Sequence, residues 1–204
     1  MVQFCPVRMG ILYNMVKLKF DLVEEYKKFE MDIQLEIASY FKGLVFQKNA
    51  YLLREGHICE GIYYIEKGCC RSFTHSENKE ITTAFSIEHS IITSPQSYLM
   101  QVPSFENIQA LEYTEVFFLH YDHIQYLLQK HVVFNDYVRK LYEKIFIDAD
   151  SMLYSIRSES ALQRYERLME TQPYLIQRVS LGHIASYLGM SQETLSRMRS
   201  QICT

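Results

Sequence analysis

The 204-residue sequence lacks an apolar run long enough to span a membrane. No stretch approaches the ~20 apolar residues that a bilayer-crossing helix needs. Four polar or charged residues interrupt the N-terminus where a signal peptide would have its apolar core: Arg8, Asn14, Lys17 and Lys19. We therefore expect a cytoplasmic protein with no membrane partner. Met15 would be as natural a start as Met1, so whether residues 1–14 are part of the protein stays open.

The sequence also lacks a cysteine pattern typical of metal sites or disulfide frameworks. Its five cysteines contain no C-x-x-C pair and no zinc or iron–sulfur spacing: Cys5, Cys59, Cys69, Cys70 and Cys203. An odd number without a framework suits a reducing compartment. If Cys69 and Cys70 lie on a strand, their side chains point to opposite faces.

Candidate catalytic and metal-binding groups are equally sparse. Ser, His and Asp residues show no nucleophile elbow or triad spacing, so we predict that the protein is not an enzyme. His120-x-x-His123 beside Asp122 would place two possible metal ligands one helical turn apart. A surface or capping role is the alternative that we favour, and we expect no metal or cofactor.

A net charge of −3 excludes a chain covered in basic charge, but it conceals an asymmetry. Residues 157–204 carry six arginines against four glutamates, a balance of +2, which leaves −5 for residues 1–156. A small basic part on an acidic body favours a local nucleic-acid contact.

Hydrophobic periodicity divides the chain into an α+β arrangement. Three- and four-residue steps predict a helix over 21–42. From about 44 to 119, short β-branched and aromatic runs lie between turn residues, which indicates a small antiparallel sandwich or barrel. The predicted strands are Tyr51–Leu53, Ile62–Ile65, Cys69–Thr74, Ile81–Phe85, Asn107–Leu111 and Val116–Leu119. No internal repeat or low-complexity tract is visible.

A long helix follows, predicted over 132–157 and about 39 Å long at 1.5 Å per residue. Its heptad-like seam suggests pairing with a second copy in a homodimer; the seam residues are Val138, Leu141, Ile145 and Met152. A helix that merely packs on the β domain is the alternative. A further helix over 159–171 should end just before Pro173.

The segment 180–203, SLGHIASYLGMSQETLSRMRSQIC, has the pattern of a helix-turn-helix. Ser180 and Ser191 are plausible N-caps, Gly189 suits a left-handed turn, and Ala185 allows two helices to approach closely. Apolar residues occupy the shared-core positions: Ile184, Leu188, Met190, Leu195 and Met198. The second helix then exposes candidate DNA-binding residues: Gln192, Glu193, Ser196, Arg197 and Arg199. An ordinary helical hairpin is the alternative.

Two stretches resemble the cyclic-AMP receptor protein/fumarate-nitrate regulator (Crp/Fnr) family of bacterial transcription factors, in the short form common in Bacteroidetes. They are LREGHICEGIYYIEKGCCR at 53–71 and IASYLGMSQETLSR at 184–197. The resemblance implies a cyclic-nucleotide-binding-like β-roll sensor over 21–130, a dimerisation helix over 131–157 and a helix-turn-helix DNA-binding domain over 158–204. It also implies an inverted-repeat DNA site with TTGAT-like half-sites, contact with RNA polymerase and a small-molecule effector.

The resemblance also allows a test of cyclic-nucleotide binding. Where family members that bind these ligands have a Gly-Glu pair and, ten residues later, an arginine, this sequence has Thr93-Ser94 and Ser104-Phe105. Ser94 and Ser104 could not neutralise a cyclic phosphate, and Glu106 would repel it, so we predict no cyclic-nucleotide response. A nearby Arg71 or Lys79 could replace the missing arginine.

Another ligand could occupy an apolar pocket lined by Tyr98, Met100, Phe105 and Tyr113; plain core positions are the alternative reading.

Two functions remain open at the level of sequence. The first is a dimeric DNA-binding transcription regulator. The second is a β-roll ligand-binding or protein-interaction module that binds no DNA.

Overall fold

The computed structural model describes residues 29–77 and 79–202, with side chains described as far as residue 200. The helices are α1 (Met31–Tyr40), α2 (Pro95–Met100), α3 (Tyr121–Lys130), α4 (Val132–Ser158), α5 (Ala161–Thr171), α6 (Leu175–Arg178), α7 (Leu181–Tyr187) and α8 (Gln192–Ile202). The strands are β1 (Lys42–Phe46), β2 (Tyr51–Leu53), β3 (Gly61–Lys67), β4 (Cys69–Ser76), β5 (Lys79–Ile87), β6 (Ile91–Ile92), β7 (Asn107–Ala110) and β8 (Thr114–His120).

The strands form two four-stranded antiparallel sheets, in the orders β1-β8-β3-β6 and β2-β7-β4-β5. All six predicted strands are confirmed within a few residues, whereas β1, β6 and the short helix α2 escaped the sequence analysis. The predicted helix over 21–42 is confirmed as α1 for its later part; residues 21–28 lie outside the described residues. The α+β class and the antiparallel roll are therefore confirmed.

The two faces of strand β4 serve different cores. Cys70 packs in the core of the roll with Ile108 and Ala110, whereas Cys69 packs with residues of the C-terminal helices. The two adjacent cysteines thus point to opposite faces, as predicted. Burial raises the pKa of each thiol to about 12.

The long helix α4 has two parts with different surroundings. Its first turns pack on the β-roll, where Phe134 and Val138 are buried in the core. Its later turns extend away from the roll, so that Ile145 is 43% exposed and Ile156 is 56% exposed. None of the helices in the described ranges has both the length and the apolar character that crossing a membrane requires.

The C-terminal helices form a second core. Ser160 and Gln163 close a capping box at the start of α5, which ends two residues before Pro173 as expected. Ser180 caps α7 by accepting the His183 N–H. Between α7 and α8, Gly189 has φ +68°, the left-handed conformation that glycine adopts without strain.

This second core is shared by α7 and α8, as the helix-turn-helix pattern predicts. Ile184, Ala185, Leu188 and Leu195 are buried, and Met190 and Met198 pack against them. Cys69 and Leu111 of the β-roll belong to the same cluster. The helix-turn-helix unit is therefore packed directly on the outer face of the sheet that contains β4.

Candidate functional site

The N-terminal half of α8 presents a polar groove to solvent. Gln192, Glu193, Ser196 and Arg197 line it together with Leu181 of α7. All four polar residues are exposed, whereas Arg199 is half-buried. The structure thus brings four of the five candidate DNA-binding residues onto one accessible surface, whereas Arg199 is not among the residues that line it.

Local contacts fix the start of this surface. Ser191 Oγ accepts the Thr194 N–H at 3.2 Å, so it caps α8 as predicted. Hydrogen bonds from Ser191 and from its own backbone lower the pKa of Glu193, which therefore stays ionised. The sequence analysis did not single out Gly182. A Cβ at this position would lie 3.2 Å from Gln192 Oε1, so the absence of a side chain leaves room for Gln192.

The basic balance of residues 157–204 is misleading, because half of its arginines have partners within the chain. Arg164 donates to the carbonyl oxygens of Leu188 at 3.0 Å and Glu159 at 2.7 Å. Arg167 binds the Glu159 carboxylate and the Ser155 hydroxyl. Arg178 binds two glutamates of the sensor. Within the described part of the chain, Arg157, Arg197 and Arg199 show no such hydrogen bond or ion pair.

The predicted dimerisation seam is only partly available to a partner. Val138 is 7% exposed and belongs to the core of the roll, so its inclusion in a seam facing a second copy was wrong. Its position on the first turns of α4, where the helix lies against the sensor, explains this burial. Ile145 is exposed, and Leu141 and Met152 are half-buried. Ile156, eleven residues after Ile145, extends the same helical face and is exposed.

Inside the roll, hydroxyl groups surround a buried carboxylate. The Oγ atoms of Ser94 and Ser104 lie 3.0 Å apart, and Ser104 Oγ also accepts the Glu106 N–H at 3.1 Å. Thr83 Oγ1 is 3.4 Å from Glu106 Oε2. Glu106 is 6% exposed. Burial raises the pKa of its carboxyl group, against the lowering effect of hydrogen bonds from Ser94 and Thr83.

Neither of the two basic residues considered as replacements serves this interior. Arg71 alternates along β4 with Cys70, which faces the roll's core, and so points to the opposite face. There its guanidinium group bonds Glu80 Oε2 at 2.5 Å and Gln109 Oε1 at 2.9 Å. Lys79 is exposed at the start of β5.

The four residues of the predicted ligand pocket do not come together. Tyr98 is buried, whereas Met100, Phe105 and Tyr113 are 64%, 52% and 43% exposed. The prediction of one apolar cavity lined by all four was therefore wrong. Tyr98 instead lines an apolar pocket of about 170 Å³ between the roll and α4, together with Val138, Leu141 and Ile145. Met100 also lies on α2, two residues after Tyr98, but it faces solvent.

The histidines have structural contacts. His120 caps α3 by accepting the Asp122 N–H at 3.2 Å, which is the capping role favoured from the sequence. The His123 ring stacks on Tyr40 at 4.5 Å between ring centroids. Across the residues that the structure describes, no group of three or more His, Cys, Asp or Glu side chains could hold a metal ion.

Comparison with known proteins agrees with this architecture. The cyclic nucleotide-binding domain family model matches residues 44–131. FixK2 from Bradyrhizobium japonicum is similar in fold, with a TM-score of 0.69 and 20% identity over 79% of this chain and 84% of that chain. A transcriptional regulator assigned to the Crp/Fnr family from Eubacterium rectale has a TM-score of 0.67 and 19% identity over 88% of this chain and 84% of that chain.

The Catabolite Activator Protein of Thermus thermophilus is also similar, with a TM-score of 0.55 and 20% identity over 88% of this chain and 86% of that chain. A search of curated protein sequences returned no match. The resemblance stated from the sequence is confirmed by the matched domain and by the shared fold.

Proposed function

We propose that this chain, which carries a cyclic nucleotide-binding domain on the fold of the Crp/Fnr regulators, is a dimeric, sequence-specific DNA-binding transcription regulator. The observation that carries the proposal is the exposed polar face of α8, formed by Gln192, Glu193, Ser196 and Arg197. A solvent-facing helix with these side chains, set at a tight turn against α7, has the shape that enters a major groove.

The chemistry of this face suits base reading. Arg197 can donate two hydrogen bonds to guanine O6 and N7, and the ionised Glu193 can accept from a cytosine amino group. Ser196 can adapt to either neighbour, whereas we expect Gln192 and the half-buried Arg199 to contact phosphates or outer bases. An inverted-repeat site follows if two copies bind symmetrically.

Pairing of two copies is supported by the later turns of α4. Ile145, Ala149, Met152 and Ile156 follow one another at steps of four, three and four residues, the spacing of a coiled-coil seam. Three of these residues are exposed in a single chain and Met152 is half-buried. A two-fold axis along this stripe would bury it against its copy.

The side chains inside the β-roll support the proposal that the regulator does not bind cyclic nucleotides. A cyclic phosphate carries a full negative charge, and it needs a matching cation once it leaves water. The interior instead holds Glu106 among the hydroxyls of Ser94, Ser104 and Thr83. The effector, if the sensor has one, would therefore be of another chemical class.

Selection of bound sequences from random double-stranded DNA tests the function and identifies the site together. We expect an enriched inverted repeat, and gel shifts at two salt concentrations should show a steep loss of affinity with salt. Failure to enrich any sequence, together with no retention on heparin, would favour the β-roll module that binds no DNA. An Arg197→Glu variant, which places like charge against phosphate, is the matched control and should abolish enrichment.

A further inference from the structure

A charged clamp joins the helix-turn-helix unit to one end of the sensor. Arg178, the last residue of α6, donates to both Glu88 carboxylate oxygens, at 2.8 and 2.7 Å. It also bonds the Glu112 carboxylate. Glu88 Oε1 in turn accepts the Gly68 N–H at 2.8 Å. One guanidinium group thus ties together three turns of the roll, those after β3, β5 and β7.

A second contact joins the same two units at the edge of a sheet. Strand β5 is an edge strand, and an edge leaves backbone groups unpaired. Ser186 of α7 pairs with two of these backbone groups. Its Oγ accepts the Thr82 N–H at 2.9 Å and donates to the Glu80 carbonyl oxygen at 3.0 Å. The Phe85 and Tyr187 rings pack beside it, with centroids 5.2 Å apart.

Docking leaves the DNA-facing surface uncovered. Ser186 and Arg178 bind the sensor, whereas Gln192, Glu193 and Arg197 remain exposed. The contact therefore constrains where α8 points without blocking it. In a dimer built on α4, the separation of the two recognition helices follows from how each helix-turn-helix unit sits on its own sensor.

We propose that Arg178 is a positioning residue: it holds the helix-turn-helix unit on the sensor in one orientation and so sets the spacing between the two DNA half-sites. The spacing part rests on the proposed function, whereas the docking part concerns a single chain. A bidentate arginine suits this task because its planar group fixes direction as well as distance. A lysine would supply charge and hydrogen-bond donors but no planar group that binds both oxygens of a carboxylate in one direction.

Amide hydrogen exchange tests the docking without DNA. The Thr82 N–H has its partner in the helix-turn-helix unit, not in the sheet, so its protection reports docking. We expect Arg178→Gln to speed exchange at Thr82 by about tenfold or more while amides of the central strand β4 keep their protection. Arg157→Gln, which removes the same charge from an exposed site on α4, should leave Thr82 unchanged.

Glu112→Gln is the second variant, because it weakens the clamp while leaving the Glu88 pair intact, and it should give a smaller acceleration at Thr82. Arg178→Lys should restore protection only in part. Unchanged Thr82 exchange in a folded Arg178→Gln variant overturns the docking role. Faster exchange at Thr82 and across β4 together would show general loss of stability and overturns it as well.

The consequence for DNA is read from inverted repeats whose half-sites are separated by spacers of different length. The unaltered protein should prefer one spacer, and Arg178→Gln should keep the same half-site sequence but bind neighbouring spacers almost equally. A variant that retains the spacer preference overturns the positioning role. If the unaltered protein binds no DNA, the proposed function fails, while the exchange at Thr82 still decides the docking.

Discussion

Arg197 differs from the other arginines of the C-terminal part because its guanidinium group faces solvent on the groove formed by α7 and α8. Arg164, Arg167 and Arg178 bind carbonyl or carboxylate groups of the chain, so their guanidinium groups already have partners within it. Of the arginines in this basic segment, Arg197 is therefore the one that lines the exposed groove proposed to contact DNA.

Arg197→Ala should cost about 1–3 kcal/mol of binding free energy at one base position and relax specificity there. The reason is the loss of two hydrogen bonds to one base edge. Binding measured against a panel of single-base variants of the selected site gives the effect at each position. Arg199→Ala is the comparison, for which we expect a weaker and more uniform loss. A uniform loss for Arg197→Ala as well would make Arg197 a phosphate contact.

Titration calorimetry with cyclic AMP and cyclic GMP at millimolar concentration should detect no saturable binding. Ser104 stands where an arginine would be needed to neutralise the phosphate, and the buried Glu106 adds a carboxyl group nearby. Both features disfavour an anionic ligand. Glu106→Gln removes the carboxylate charge but supplies no cation, so it should bind neither nucleotide. A dissociation constant below about 0.1 mM, which corresponds to about −5.5 kcal/mol, contradicts the argument.

Helix α4 and the turn between α7 and α8 have different structural roles. Helix α4 packs on the sensor at its start and extends beyond it afterwards, so a single helix serves two environments. The turn between α7 and α8 is four residues long and depends on one left-handed residue. Each role predicts a different effect of substitution.

Ile145→Asp should convert a dimer into a monomer, because a charge buried in the seam would lack a partner. Ile147→Asp is the matched control: Ile147 is 62% exposed and lies on the opposite side of α4, so the dimer should persist. Light scattering at micromolar concentration measures both. A monomeric unaltered protein, or equal disruption by the two substitutions, rules out this seam.

Gly189→Ala should lower the free energy of unfolding by about 1–2 kcal/mol, because an L-residue with a Cβ is strained at φ +68°. Among the residues that the structure describes, and leaving aside Gly189 and its chain neighbours, no atom lies within 4 Å of the added Cβ, so the loss comes from the backbone and not from a clash. Gly189→Asn should lose less, since asparagine tolerates this conformation. Urea unfolding provides the measurement, and equal stability of the alanine variant would be inconsistent with this explanation.

The whole molecule is held together by contacts between its two units. The shared apolar cluster, the Ser186 contacts and the clamp of Arg178 all join the sensor to the helix-turn-helix unit. Because the clamp depends on the ionised carboxylates of Glu88 and Glu112, acid should weaken the interface between the two units.

Stability should fall as the pH drops from about 4.5 toward 2 through loss of the clamp. Burial acts to raise the pKa of Glu88, but hydrogen bonds from Arg178 and the Gly68 N–H outweigh it and lower the pKa to about 2. A folded-state pKa below the unfolded one stabilises the protein above the unfolded value, and this contribution disappears as protons bind. Solvent screening of the partly exposed pair limits it to roughly 1–2 kcal/mol.

Urea unfolding at pH 6 and pH 3 should therefore show a smaller difference for Arg178→Gln than for the unaltered protein. Arg139→Gln is the control, since it removes an exposed ion pair with Glu143 at the surface of α4. Identical pH dependence for all three proteins would show that the clamp contributes nothing to acid stability.

The sequence by itself determined those features that depend on neighbouring residues. Ser180 and Ser191 cap helices, Gly189 makes the turn, and the Cys69–Cys70 pair divides two faces, because capping, backbone conformation and strand alternation act over a few residues. The four exposed polar residues of α8 were found for the same reason. Their roles in binding DNA stay a prediction.

Only the tertiary structure decided which side chains are already engaged. The spacing of Val138 is the same whether its helix face meets the sensor or a second copy, and only the path of α4 across the roll buries it. Likewise Arg178 looks like any basic residue of a DNA-binding segment until the fold brings Glu88, 90 positions away, into contact with it. Local patterns carry no information about such partners, because chain folding alone sets the distance between them.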